Sequence, residues 1–336
     1  MNARQGGRTH RIDVHCHAIV PRIAELMRER GASFTLPWSL DETWQVMQAC
    51  GIDVGVLSNP VPGDFFESAA QATRFCQIAN DAVADLVREH PGRFGLLAAL
   101  PMPYVDAALE HASYVFDELN ADGVILIPHA ADAYLGDALF EPLLAELDRR
   151  RAVVLVHPLT LPGGAAAAVQ PVLADFLLDT TRGAISLITS GALDRYPDVS
   201  FVLAHAGGFL PYAAARIDAL GRAFYGLSHD ELRRALSRFH YDLALAAPTA
   251  LPSLLAAVPA DRILFGTDWC AAPSQAVAEC TRGLDEAPGL DDRSRQMINR
   301  ENALRLLPRL ARRLESAPSR AAGDELARQP AARSSP

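Results

Sequence analysis

The sequence predicts a single α/β domain folded as a (β/α)8 TIM barrel, and three observations carry that reading. Eight short β-rich segments recur, each followed by a stretch with helical periodicity or turn residues, the alternation of parallel βα units. Several are continuously apolar, as in Val153-Val154-Leu155-Val156 and Gly123-Val124-Ile125-Leu126-Ile127, which suits strands covered on both faces. A doubly wound open sheet would ordinarily carry a glycine-rich phosphate loop after its first strand; that place is taken by His15-Cys16-His17. The length agrees, because 336 residues, half of them hydrophobic, suffice for one large barrel core.

After a polar N-terminal arm, residues 1–10, the first strand is expected at Ile12–His15. Residues 19–44 are too long for a simple βα loop and contain Pro21, Gly31, Pro37 and Trp38, so an excursion over the barrel mouth is expected, as a lid or a plug. The next strands are read at Ile52–Leu57, Phe94–Ala99 and Gly123–Ile127. Between them lie helices over Phe66–His90, ended by Pro91-Gly92, and Val105–Asn120, ended by Ala121-Asp122-Gly123. Strands at Val153–His157, Phe201–His205, Tyr241–Leu245 and Ile263–Gly266 complete the eight. Their helices are read at Pro142–Arg151, Asp179–Tyr196, Pro211–Phe224, Asp230–Arg238 and Thr249–Val258, with a closing helix at Ser294–Leu307. The barrel domain thus runs over residues 11–315. Residues 316–336, rich in Ala, Arg, Ser and Pro with little to bury, are expected to form a disordered tail.

Composition narrows the function. A net charge of −9 without a basic stripe argues against nucleic acid. The polar N-terminus has no apolar signal core, and no apolar run is long enough to span a bilayer, so a cytoplasmic protein without a membrane partner is expected. Five scattered cysteines with no Cys-x-x-Cys pair suggest buried thiols. All 31 basic residues are arginine. Without lysine, Schiff-base chemistry, pyridoxal phosphate attachment and a carbamylated-lysine metal bridge are excluded.

In a barrel the residues at the C-terminal strand ends share one mouth. Those ends supply His15 and His17 after strand 1, His157 after strand 5, His205 after strand 6 and Asp268 after strand 8. His15 and His17 fall on one face of their strand by alternation. Neutral imidazoles with one carboxylate suit a divalent ion such as zinc, with manganese as the alternative and iron also compatible.

These residues carry a resemblance to the decarboxylase branch of the amidohydrolase superfamily, which includes aminocarboxymuconate-semialdehyde, γ-resorcylate and 6-methylsalicylate decarboxylases. The motifs that resemble that branch, in the same order, are His15-x-His17, Val156-His157-Pro158, Ala204-His205-Ala206-Gly207-Gly208 and Gly266-Thr267-Asp268-Trp269. His90-Pro91-Gly92-Arg93-Phe94 and Leu178-Asp179-Thr180-Thr181-Arg182 look closest to the 6-methylsalicylate decarboxylase type. The resemblance implies that His15, His17, His157 and Asp268 bind a single metal, and that His205 lies beside it as an acid/base or substrate-orienting group. It implies further that Arg216 grips a substrate carboxylate in the neighbouring subunit's site, hence a homodimer. The segment Ser58–Phe66 lacks the second arginine of the semialdehyde decarboxylases. Phe65, Phe66, Trp38 and Trp269 would instead suit an aromatic ring, and His129, after strand 4, would be a pocket donor.

Loss of CO2 leaves an electron pair on carbon, and no lysine is present to form a sink. The expected reaction is therefore metal-dependent, non-oxidative decarboxylation of a hydroxylated, 6-methylsalicylate-like aromatic acid. A metal would chelate the substrate oxygens while Asp268, His205 or a water protonates the ipso carbon. Hydrolysis of a lactone or amide by the same metal site is the alternative, and a non-catalytic binding barrel the remote one.

Overall fold

The computed structural model describes residues 10–30, 36–61, 66–130, 132–164 and 168–317. Eight parallel strands follow one another around the barrel: β1 Arg11–His17, β2 Ile52–Ser58, β3 Phe94–Ala99, β4 Gly123–Leu126, β5 Val153–Val156, β6 Ser200–Leu203, β7 His240–Asp242 and β8 Ile263–Leu264. Each is hydrogen-bonded to its successor in parallel register. The ring closes through single contacts: Val14 N–H donates to Phe265 O at 3.0 Å, Asp268 N–H to His15 O at 2.8 Å, and Cys16 bridges Trp269 in parallel. The apolar strands are buried on both faces, as β3, β4 and β5 are at every residue.

Helices cover the outside for reasons legible in their ends. The 21-residue helix Ala69–Glu89 starts where the Ser68 side chain accepts the Gln71 N–H. It buries Ala72, Phe75, Cys76, Ala79, Asn80, Val83 and Ala84, a stripe of helical period. Below the barrel, the buried Arg11 guanidinium donates to Asn299 Oδ1 and Cys50 O, and pairs with Asp285. This ties β1 to the helices that close the chain.

Several expected boundaries are corrected. Within the expected excursion at 19–44, the described residues hold a helix, Pro21–Glu29, and the start of a second, Leu40–Ala49. The second is the ordinary crossover helix from β1 to β2. Ser39 caps it, accepting from Glu42 N, with Asp41 and Glu42 in its first turn. The expected helix at Asp179–Tyr196 begins four residues earlier and divides into Asp175–Thr189 and Ala192–Arg195, because Gly191 takes a left-handed φ of 74° between them. Val105–Asn120 is α-helical to Ser113 and continues as a wider π turn to Glu118. Helices at Ser274–Asp285 and Pro308–Ser316 and a hairpin pairing His129–Ala130 with Ala133–Tyr134 were not anticipated. Ser316 ends the last helix, and the rest of the expected tail, from residue 318, lies outside the described residues, as do residues 1–9 of the arm. No helix among the described residues is long and apolar enough to cross a membrane.

Candidate metal centre

Alternation along β1 sends His15 and His17 to one side, and their ring centroids stand 5.3 Å apart. His157 follows β5 directly; its N–H donates to Leu126 O at 2.9 Å, and its ring lies 4.9 Å from both His15 and His17. Asp268 follows β8 by four residues, held by its N–H on His15 O and turned through a φ of 63°. One ligand atom from each of these four residues lies within 4.8 Å of the others, and all four are at least 95% buried.

Asp268 organises the group. Its Oδ1 lies 3.0 Å from His17 Nε2, 3.4 Å from His15 Nε2 and 3.9 Å from His157 Nε2. Its Oδ2 faces His205 Nε2 at 3.4 Å. His205 sits two residues beyond β6 with a φ of 55°, and Ala206 follows at 57°. Left-handed backbone at three non-glycine residues costs energy, and such strain gathers where side-chain placement matters.

The donor set fits a divalent cation. Nε2 of His15 and Nε2 of His157 are buried without a hydrogen-bond partner, a desolvation cost that a cation on their lone pairs would offset. Burial pushes His157 down to about 3 and also lowers His17, so both present neutral imidazoles, the form that ligates. Burial opposes the Asp268 anion, but the four histidines gathered around it hold its carboxyl well below the usual range. His15 behaves differently: burial lowers it, yet the Asp242 carboxylate overrides that and pushes it up to about 10.

The supporting shell was not anticipated. Asp242, at the end of β7, accepts from His15 Nδ1 at 2.9 Å with one oxygen; with the other it accepts the His205 N–H at 3.1 Å. Asp13 accepts from the N–H groups of His15 and Thr267 and from the Thr267 hydroxyl. Ser58 O and Oγ stand 3.3 and 3.2 Å from His17 Nδ1. The available signal for Asp242 was its place: a carboxylate in Tyr241-Asp242-Leu243 at a strand end.

Other expected site residues are dispersed. Trp269 adjoins Asp268 and is buried, its indole N–H donating to Thr43 Oγ1 at 3.1 Å. His129 stands after β4 and pairs with Asp179. Arg216 is exposed on the helix Ala214–Tyr225, and no ion pair to it is found among the described residues. Phe65 lies outside the described residues. The five cysteines are free thiols.

The chain is 35% identical over 326 residues to a 6-methylsalicylic acid decarboxylase of Aspergillus aculeatus, covering 90% of this chain and 97% of that one. It is 32% identical over 324 residues to a 6-methylsalicylic acid decarboxylase of Penicillium expansum, covering 91% and 99%. Among solved structures, one described as amidohydrolase II superposes with a TM-score of 0.82 at 27% identity, over 89% of this chain and 99% of the other. A dihydroxybenzoic acid decarboxylase of Polaromonas sp., solved with manganese and 2-nitroresorcinol, shares the fold with a TM-score of 0.72 at 22% identity, over 90% and 97%. The amidohydrolase family profile matches residues 12–309, from β1 through every strand end that bears a cluster residue. A barrel of eight strands with its histidines and aspartate gathered at one mouth, matched over that whole span, makes this chain a member of the amidohydrolase family.

Proposed function

We propose that this protein is a metal-dependent, non-oxidative decarboxylase of a small hydroxylated aromatic acid of the 6-methylsalicylate kind. The observation that carries the reading is Asp268, whose one oxygen faces three histidines while the other faces His205. A structural zinc site would be closed by four ligands and need no fifth polar neighbour. The substrate class follows the two fungal relatives at 32 and 35% identity.

His15, His17, His157 and Asp268 would hold one divalent ion, zinc by donor preference, with manganese as the alternative. When bound, the ion supplies positive charge that holds and polarises the acid's oxygens. His205 and Asp268 then carry the proton chemistry: the C–C bond to the carboxylate breaks, CO2 leaves, and the pair of electrons left on the ipso carbon takes a proton. We assign its delivery to the His205–Asp268 pair, whose Nε2 and Oδ2 lie 3.4 Å apart.

We assign the functional unit as a homodimer in which Arg216 reaches the neighbouring site. The helix that carries it also exposes Phe224 and Tyr225, at 76 and 62%, and the turn before it exposes Tyr212 at 83%. Such clustered aromatic exposure marks an interaction surface. Mixing Arg216→Ala chains with His205→Gln chains tests this, since shared sites would restore activity to part of the hybrid population.

The deciding experiment is mass spectrometry of products after incubation with hydroxybenzoates, including 6-methylsalicylate, beside lactone and amide controls. Loss of CO2 that stops on chelation and returns with zinc or manganese is expected. Gain of water on a control, with every carboxylate intact, would instead make the protein a hydrolase.

A further inference from the structure

A second histidine–carboxylate pair stands beyond the strand ends, apart from the metal cluster. Nδ1 of His129 lies 2.9 Å from Oδ1 of Asp179, whose side chain is fully buried. The other oxygen of Asp179 accepts the Leu159 N–H at 3.2 Å. Asp179 therefore joins the turn after β4 to the loop that begins with His157. Pro128 fixes the same turn against the helix Asp175–Thr189, so closely that a Cβ added at Gly183 would fall 2.7 Å from its Cβ. The ring is thus held on a rigid wall, as a binding group must be to select among ligands.

The pair also sets what the ring can offer. Because the Asp179 carboxylate accepts, Nδ1 of His129 donates, and in that tautomer the lone pair lies on Nε2. Nε2 lies on the far side of the ring from Asp179. Among the described residues no hydrogen bond to Nε2 is found, and 13% of the side chain remains accessible. Tyr134, across the hairpin, flanks the ring with centroids 5.6 Å apart. An acceptor of this kind matches a hydroxyl.

We infer that His129, fixed by Asp179, is a specificity-determining residue whose Nε2 accepts a hydrogen bond from a second hydroxyl on the aromatic ring. The inference rests on the decarboxylase reading and adds to it a preference at the edge of the ring on the β4 side. It differs from the donor role expected of His129 from sequence: the substrate donates and the protein accepts. A site built to hydrogen-bond a substrate hydroxyl penalises the analogue that lacks it, because the buried acceptor then goes unpaired.

The test compares 2-hydroxybenzoate with its analogues carrying a second hydroxyl at carbon 3, 4, 5 or 6, all of which keep the same carboxylate and ortho-hydroxyl pair. Turnover and calorimetric binding are measured on metal-replete wild type, His129→Phe and Asp179→Asn. One analogue should bind about tenfold more tightly than 2-hydroxybenzoate to the wild type. That gain should vanish in His129→Phe and shrink in Asp179→Asn, with metal content unchanged. A gain at no carbon, or one that survives in His129→Phe, overturns the inference while leaving the decarboxylase reading intact. A wild type that neither binds nor decarboxylates any of these acids overturns both.

Discussion

The Asp242 carboxylate lies 2.9 Å from Nδ1 of His15, and neither side chain has any exposed surface. The contact fixes which ring nitrogen of His15 faces the cluster, and the other Asp242 oxygen holds the backbone of His205. Outer partners of this kind orient ligating histidines, and their loss weakens metal binding about 10- to 100-fold. Asp242→Asn should therefore fold yet yield zinc to a competing chelator at correspondingly lower concentration. An unchanged metal affinity would remove Asp242 from this role.

His205 and Asp268 should separate in their mutants. The His205 ring faces Asp268 Oδ2 at 3.4 Å and lies edge-on to His15 and His157, with centroids 5.1 and 5.9 Å away. It is not one of the four grouped ligands, so His205→Gln should retain metal while turnover falls about 10²- to 10⁴-fold, the range for a lost acid/base group. Asp268→Ala removes an oxygen shared among three histidines and should lose both metal and activity. Full activity of Asp268→Ala with metal bound would refute the proposed site. Metal analysis beside product assays reads both.

The parts legible in the sequence were those written in local pattern. Several strands carry continuous apolar runs, and β2, β3 and β5 lie within one residue of their expected bounds. His157 and His205 were legible because each ends such a run, and His15 and His17 because they alternate along one strand. Less visible were features set by partners far along the chain. Asp242 meets His15 across 227 residues, and a single aspartate after Tyr241 carries no local sign of that contact. The helix Leu40–Ala49 was masked by Pro37 and Trp38 just ahead of it, although Ser39 and Glu42 spell its N-cap. The strand ends after β6 and β8 turn through left-handed residues, His205 and Asp268, a conformation uncommon enough outside glycine that the residue type alone does not announce it.

Gly208 should tolerate no side chain. Its φ is 62°, and a Cβ there would fall 2.1 Å from Leu177 O and 2.9 Å from Thr181 Oγ1. The same turn carries His205, and Phe209 N–H donates to Thr181 Oγ1 at 2.8 Å. Gly208→Ala is expected to cost on the order of 2–4 kcal/mol of stability by steric clash and backbone strain. It should also displace His205 from Asp268. Urea denaturation measures the first effect, and turnover of the folded fraction measures the second.

His111 makes the fold sensitive to acid independently of the metal cluster. It is 4% exposed on the helix Val105–Ser113, and the Asn80 amide donates to its Nε2 at 3.0 Å. Burial pushes it down from 6.5 to about 4, against the attraction of Asp81. Between those values the unfolded chain takes up a proton that the folded chain refuses. Stability is therefore full above about pH 6.5 and falls as the pH drops toward 4. His111→Gln keeps an acceptor for Asn80 but does not titrate, so its stability should fall less steeply over that window, by on the order of 2 kcal/mol at the acid end. His240, pushed to about 4 chiefly by burial, leaves a residual slope in the same direction. Urea denaturation midpoints from pH 4.5 to 8, compared between wild type and variant, measure the difference, and parallel curves would show that His111 does not carry it.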